Sequence, residues 1–187
     1  MQTKKRFPSY LIKSNSFKRS KRKYNFTRKD YNSNDGMMTS IWGPSTWHLL
    51  HSISFNYPIL PTKKDKKCYK EFILSLKNIL PCGKCRLNLI TNFTKLPLKD
   101  YHMKSRDTFS KYVFELHEVV NDMLGKKSGL DYDKVRNSYE NFRARCITKE
   151  EIQSISNEKG CIVPFYGIKN KCILRIVPES KQCKTFI

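Results

Sequence analysis

At 187 residues, with 37 lysines and arginines against 16 acidic residues and a net charge of +21, the chain is long enough for one domain with extensions and one real core. No run of eighteen apolar residues occurs, which excludes a membrane-spanning helix, and the basic start lacks the apolar stretch of a secretory signal. Seven cysteines in such a chain point to thiol chemistry rather than a secreted disulfide scaffold, and their odd number leaves at least one thiol free or intermolecular.

The charge is concentrated in residues 1–36, from Lys4, Lys5 and Arg6 through to Lys29, opposed only by Asp30 and Asp35. Serines, asparagines and single aromatics interrupt it without an apolar period, so this arm is expected to be disordered alone. Its Tyr10, Phe17, Tyr24 and Phe26 could stack bases while the cations meet phosphates, which makes nucleic-acid binding an alternative. A solvated tail that aids solubility or targeting is the favoured account.

From Met37 the character changes. Residues 41–55 predict a first helix with Pro44 at its first position. Trp47, Leu50, Ser54 and Tyr57 fall on one stripe, with His51 beside it, and Pro58 and Pro61 end the run. A second helix is expected over about 66–80, its apolar side built from Phe72, Ile73, Leu76, Ile79 and Leu80, with Cys68 a partly buried thiol near its start.

Pro81-Cys82-Gly83-Lys84-Cys85 opens the third helix, which stops before Pro97. Two cysteines separated by two residues can close a small disulfide ring, and a helix N-terminus favours the thiolate of the first. Lys84 and Arg86 add positive charge nearby. The same spacing serves half of a zinc site, but Cys161, Cys172 and Cys183 stand eleven residues apart and no histidine pair completes a ligand set, so no metal is expected. A purely structural disulfide stays open at this point, although so small a ring staples little chain.

A fourth helix is expected over about 107–124, with Phe109, Tyr112, Val113, Leu116, Val120 and Leu124 as its core face and Gly125 as its stop. His117 and Asn121 lie four apart on one face. A fifth helix spans about 131–146 with Val135, Tyr139 and Phe142 inward, and Thr148-Lys149-Glu150-Glu151 is a capping box for a short sixth. Beyond Gly160, residues 161–164 and 172–178 are β-prone runs around Tyr166-Gly167 that could pair as a hairpin. The domain reading is therefore an arm over 1–36, a helical domain over 37–147 and an extension over 148–187.

The order Trp47-x-x-x-His51, then Cys82-x-x-Cys85, then His117-x-x-x-Asn121-x-x-Leu124-Gly125-Lys126 resembles the FAD-linked sulfhydryl oxidases of the Erv/ALR type across roughly residues 40–146. The Trp42-Gly43-Pro44-x-x-Trp47 start, the basic arm and the cysteine-bearing tail are similar to versions carried by large cytoplasmic DNA viruses. The resemblance implies an all-α fold, a compact four-helix bundle plus a fifth helix, holding FAD beside the redox pair. Trp47, His51 and Tyr57 would line the flavin pocket. His117, Asn121 and Lys126 would contact adenosine and pyrophosphate, and Tyr139 stands where the family commonly has a tryptophan against adenine.

The implied activity is thiol oxidation: a protein dithiol or a thioredoxin-like shuttle exchanges with Cys82, the exposed member, and Cys85 passes two electrons through FAD to oxygen, releasing hydrogen peroxide. It also implies a homodimer, with a viral member acting in host cytoplasm or the virion. The competing class is a basic nucleic-acid-binding or scaffold protein with a structural C-x-x-C. Four departures stand out. Pro44 replaces an arginine, Glu118 replaces an asparagine and brings a negative charge toward the cofactor, and Phe114 stands at a position often occupied by cysteine. Tyr132 replaces the first cysteine of the family's second disulfide, so that bridge, with only Cys146 nearby, is expected to be missing. Cys161, Cys172 and Cys183 are candidates for an electron relay, or for a structural Cys161–Cys172 link.

Overall fold

The computed structural model describes residues 25–34, 36–146, 160–167 and 172. Most of the basic arm, the helix expected from Thr148, the strand expected over 173–178, and Cys183 lie outside them. In chain order the elements are α1 (Arg28–Asn32), α2 (Thr39–Phe55), α3 (Lys63–Ile79), α4 (Gly83–Lys95), a 3₁₀ turn (Asp100–Met103), α5 (Arg106–Met123), α6 (Tyr132–Glu140), β1 (Ala144–Cys146) and β2 (Cys161–Pro164).

The helices begin where a side chain can satisfy the free amides of the first turn. Thr62 Oγ1 accepts the Asp65 N–H at 3.1 Å and Asp65 accepts the Thr62 N–H at 2.9 Å, a reciprocal cap that holds the Asp65 carboxyl below its ordinary range. Ser105 caps α5 through the Thr108 N–H, and Asp131 caps α6 through the Lys134 N–H at 2.8 Å. At the far end of α5, Gly125 takes φ +66°. The Lys126 N–H then reaches back to the Asn121 carbonyl at 2.9 Å and the Gly125 N–H to Asp122 at 3.0 Å. That pair of bonds is a Schellman closure, and only glycine adopts its left-handed residue cheaply.

Helix α2 packs on α5, α3 on α4, and α4 on α5, while α6 lies along α2. This is the expected four-helix bundle with a fifth helix. Its core joins Leu50 and Tyr57 to Ile73, Leu76, Leu89, Leu98, Met103, Phe109, Tyr112, Val113 and Leu116. The two core tyrosines keep their hydroxyls bonded: Tyr57 donates to the Met103 carbonyl at 3.1 Å and Tyr112 to the Leu96 carbonyl at 3.0 Å. Burial pushes both phenols up, Tyr57 to about 12, so each stays a neutral donor. Among the described residues no helix is long and apolar enough to cross a membrane.

Several sequence expectations need correction. Pro44 sits inside α2 rather than at its start. Tolerance of this missing N–H follows from its place in the second turn, close to the helix end, where few backbone bonds depend on it. Residues 28–32, assigned to the disordered arm, form a short helix because Thr27 and Asp30 make a complete capping box. The fifth helix ends at Glu140, not Cys146, and residues 144–146 pair antiparallel with 161–164. Residues 161–164 thus find their partner in β1. No bridge starts at position 132, as expected, but Cys146 is joined to Cys161, a pairing the sequence did not indicate, while Cys172 is free and exposed, so no Cys161–Cys172 link exists. Cys68 is exposed rather than partly buried, because α3 turns its Phe72–Ile73–Leu76 side to the core.

Candidate active site

Cys82 and Cys85 are bonded to each other, with Cys82 at the N-cap of α4. Its sulfur accepts the Cys85 backbone N–H at 3.2 Å, so a free amide of the helix's first turn points at the sulfur that would carry charge on reduction. Thr39 Oγ1, at the start of α2, stands 3.8 Å from the Cys85 sulfur. One expectation fails here: Cys82, taken as the exposed member, is buried at 8% exposure, and Cys85 is the more open of the two. The cover comes from residues that the sequence assigned to a free arm.

From Thr39 the same helix leads to a cluster of rings. Trp47 lies eight residues on, about 12 Å along the axis, and stacks on His117 of α5 with centroids 4.0 Å apart and planes 7° from parallel. His51 Nε2 and His117 Nδ1 are 3.0 Å apart and share one proton. Tyr139 of α6 closes the group, its ring 5.3 Å from His51 and 5.2 Å from Phe55, its hydroxyl 3.0 Å from His48 Nδ1. Four of the expected binding residues, Trp47, His51, His117 and Tyr139, therefore meet although they are up to 92 positions apart in the chain (139 − 47).

The electrostatics keep this box neutral. Burial, reinforced by the neighbouring His117 and His48, lowers the His51 pKa to about 3. Burial also lowers His117, opposed by Glu118 and assisted by Lys126. Burial and the Cys172 thiol raise Tyr139 to about 12. His51 Nδ1 is buried and has no protein partner. An orphaned ring nitrogen amid stacked aromatics is where a planar heteroaromatic ligand with its own polar edge fits, and a flavin or adenine ring is such a ligand.

Asn121 stands one turn beyond His117, and the glycine closure brings Lys126 back over that end of α5. The Asn121 amide donates to Glu118 Oε1 at 2.9 Å and Ser128 Oγ donates to Glu118 Oε2 at 3.1 Å. The unusual Glu118 is thus already held by this chain rather than being a bare charge. Tyr57 does not join the box. It is fully buried against Tyr69 and Phe109, on the core side of the chain after α2.

A cleft of about 660 Å³ opens beside the box at the end of α2 opposite the disulfide, bounded by Phe55, Tyr139, Phe142, Arg143, Phe165 and Tyr166, among others. Arg143 fixes its floor, donating to the Phe55 carbonyl and to Glu140. Sequence reasoning missed His48, Phe55 and Arg143. The three-residue spacing of His48 and His51 was the one available signal; Arg143 gave none, because its partner is a backbone carbonyl 88 residues away.

The model of the Erv1/Alr family matches residues 44–140. A "Probable FAD-linked sulfhydryl oxidase" of Acanthamoeba polyphaga mimivirus is 42% identical over 91 residues, 49% of this chain and 64% of that protein. The chain thus spans just under two thirds of that relative. An "FAD-linked sulfhydryl oxidase" of African swine fever virus is 31% identical over 99 residues, 53% of this chain and 80% of that one. The FAD binding domain of Erv1 from Saccharomyces cerevisiae superposes with a TM-score of 0.50 at 27% identity, covering 55% of this chain and 94% of that domain.

Proposed function

Because the chain belongs to the Erv1/Alr family, we propose that it is an FAD-linked thiol oxidase that forms disulfide bonds in protein substrates. The observation that carries this reading is the juxtaposition along α2: a helix-capped disulfide at its first turn and a neutral aromatic box farther along it. Trp47, His51, His117 and Tyr139 would hold the ring systems of FAD, and Lys126 offers a point charge to its phosphates. What FAD supplies when bound is a two-electron acceptor that oxygen can re-oxidise, with hydrogen peroxide as product.

The chain's own work precedes that transfer. A substrate thiolate attacks the Cys82 sulfur, forming a mixed disulfide and releasing Cys85 as a thiolate in the first turn of α4. The second substrate thiol then attacks the substrate sulfur of that mixed disulfide. The substrate leaves oxidised, and Cys82 and Cys85 hold its two electrons. The Cys85 N–H stabilises negative charge on Cys82, which makes Cys82 a good leaving group in this second exchange. His51 and His117 stay uncharged near neutral pH, so the box adds no cation to the ring it would bind.

A symmetric dimer through α2 belongs to this reading, and the exposed Ile41 and Leu49 on that helix support it. The relatives' viruses suggest a virion or host-cytoplasm setting.

Purified protein supplied with FAD should be yellow and should bleach when a dithiol is added without oxygen. Cys85→Ala should keep the colour and lose the bleaching. Wild-type turnover by Cys85→Ala would end this assignment.

A further inference from the structure

Asn32, Ser33 and Gly36, between α1 and α2, lie with their backbone against Pro81, Cys82 and Gly83 at the start of α4. A Cβ built at Gly36 would stand 2.6 Å from the Pro81 carbonyl oxygen and 3.3 Å from the Cys82 Cα. One built at Gly83 would run into the carbonyls of Asn32 and Ser33. Neither glycine has a positive φ, so what both positions require is the absence of a side chain rather than an unusual backbone. The two chain segments touch through bare backbone, and Cys82 beneath them is left 8% exposed.

The contact is fastened on both sides. The Arg86 guanidinium donates from Nη2 to the Tyr31 carbonyl and from Nη1 to the Leu80 carbonyl, each at 2.5 Å, and lies 3.9 Å over the Tyr31 ring. The Tyr31 hydroxyl donates to the Asn78 carbonyl at 3.0 Å. Past the disulfide, the Met37 N–H donates to the Pro81 carbonyl at 3.2 Å, and the Trp42 indole N–H donates to the Met37 carbonyl at 2.9 Å. Helix α1 itself buries no residue. A segment held by a few polar contacts and no apolar core opens locally at far lower free energy than the bundle it rests on.

We propose that residues 31–34 with Gly36 and Met37 form a strap that closes the approach to Cys82 and must lift before a protein thiol can reach it. The strap thereby sorts thiol substrates by size. Tyr31 and Arg86 are its latch, and Gly36 and Gly83 set how tightly it seats. The identification of Cys82 as the exchanging sulfur rests on the oxidase reading; the occlusion does not.

The test uses the full chain, reduced and freed of reductant, and compares alkylation by iodoacetamide with alkylation by a polyethylene-glycol maleimide, both read at Cys82 by peptide mass mapping. Exposed Cys68 serves as the internal reference. Wild type should react far more slowly with the polymer reagent at Cys82 than at Cys68. Gly36→Ala, which wedges the strap outward, and Tyr31→Ala, which removes the latch ring, should each raise the polymer rate at Cys82 about tenfold, as loss of a local closing interaction does. Iodoacetamide rates should move less than about twofold, since a small reagent needs less opening. The two variants act on separate contacts outside the bundle core, so either one tests the idea if the other misfolds. Polymer rates at Cys82 that match wild type in both variants overturn the strap. A chain that shows this size selection yet never binds flavin would instead count against the oxidase reading alone.

Discussion

The disulfide mouth lies against the first turn of α2 and the aromatic box farther along the same helix, yet they are built in opposite ways. The sulfur pair is local, Cys82 and Cys85 sharing one helix turn, and only the cover over Cys82, backbone against backbone at Gly36 and Gly83, comes from farther away in the chain. The box is global: Trp47 and His51, His117, and Tyr139 come from three helices and meet only because the bundle core sits beneath them. A turn-sized motif can keep its geometry while its surroundings move. A ring stack assembled from distant segments has no geometry apart from the packing that delivers it.

That contrast can be broken most severely through the shared core. Phe109 is fully buried between Tyr57 and Tyr69, so Phe109→Ala should cost about 3–5 kcal/mol of stability. In a Trp42→Phe background, where Trp47 of the box is the only tryptophan, urea unfolding followed by fluorescence should coincide with unfolding followed by circular dichroism. Separate midpoints would mean that the box does not rest on this core.

Next in size is acid. His51 has its folded pKa lowered to about 3 from 6.5, so above pH 6.5 its neutral form contributes fully. As pH falls below 6.5 toward 3, the unfolded chain takes up a proton that the folded box refuses. Stability should fall by up to about 1.4 kcal/mol per pH unit over that window. Buried His117 and His102 are lowered in the same direction and add to the loss. Denaturant midpoints at pH 7.5, 5.5 and 4.5 check this, and His51→Gln should flatten the slope. An unchanged slope would remove His51 from the account.

The smallest effect concerns Tyr132, at a position where the family resemblance implies a cysteine. Tyr132 instead places its hydroxyl 2.8 Å from Ser110 Oγ and its ring near Phe55 and Phe114. The hydroxyl also donates to Asp107 Oδ1 at 3.3 Å, so Tyr132→Phe should cost about 1–2 kcal/mol, the worth of one or two hydrogen bonds, with the ring packing retained. A loss several times larger would show that the hydroxyl, rather than the ring, anchors α6 against α5.

The chain's order of apolar stripes, caps and stops carries the bundle, because helix periodicity and terminal amides are satisfied by residues within a few positions of one another. Thus Gly125, read as a stop, marks a real end, whereas α3 and α5 start slightly ahead of the expected positions, where the unread caps Thr62 and Ser105 stand. The C-x-x-C pair and the spaced Trp47–His51 and His117–Asn121 pairs were legible for the same reason. Three things were not. Tyr57 extended the stripe of α2, but the turn after the helix carries it into the core. Cys146 found Cys161 only because the chain leaves α6 as a strand. The basic segment before α2 read as free because its cover of Cys82 depends on the missing side chains of Gly36 and Gly83 and on an arginine reaching back 55 positions to Tyr31. Short-range chemistry is written in neighbouring residues, whereas which surfaces end up face to face is settled only when the whole chain has closed.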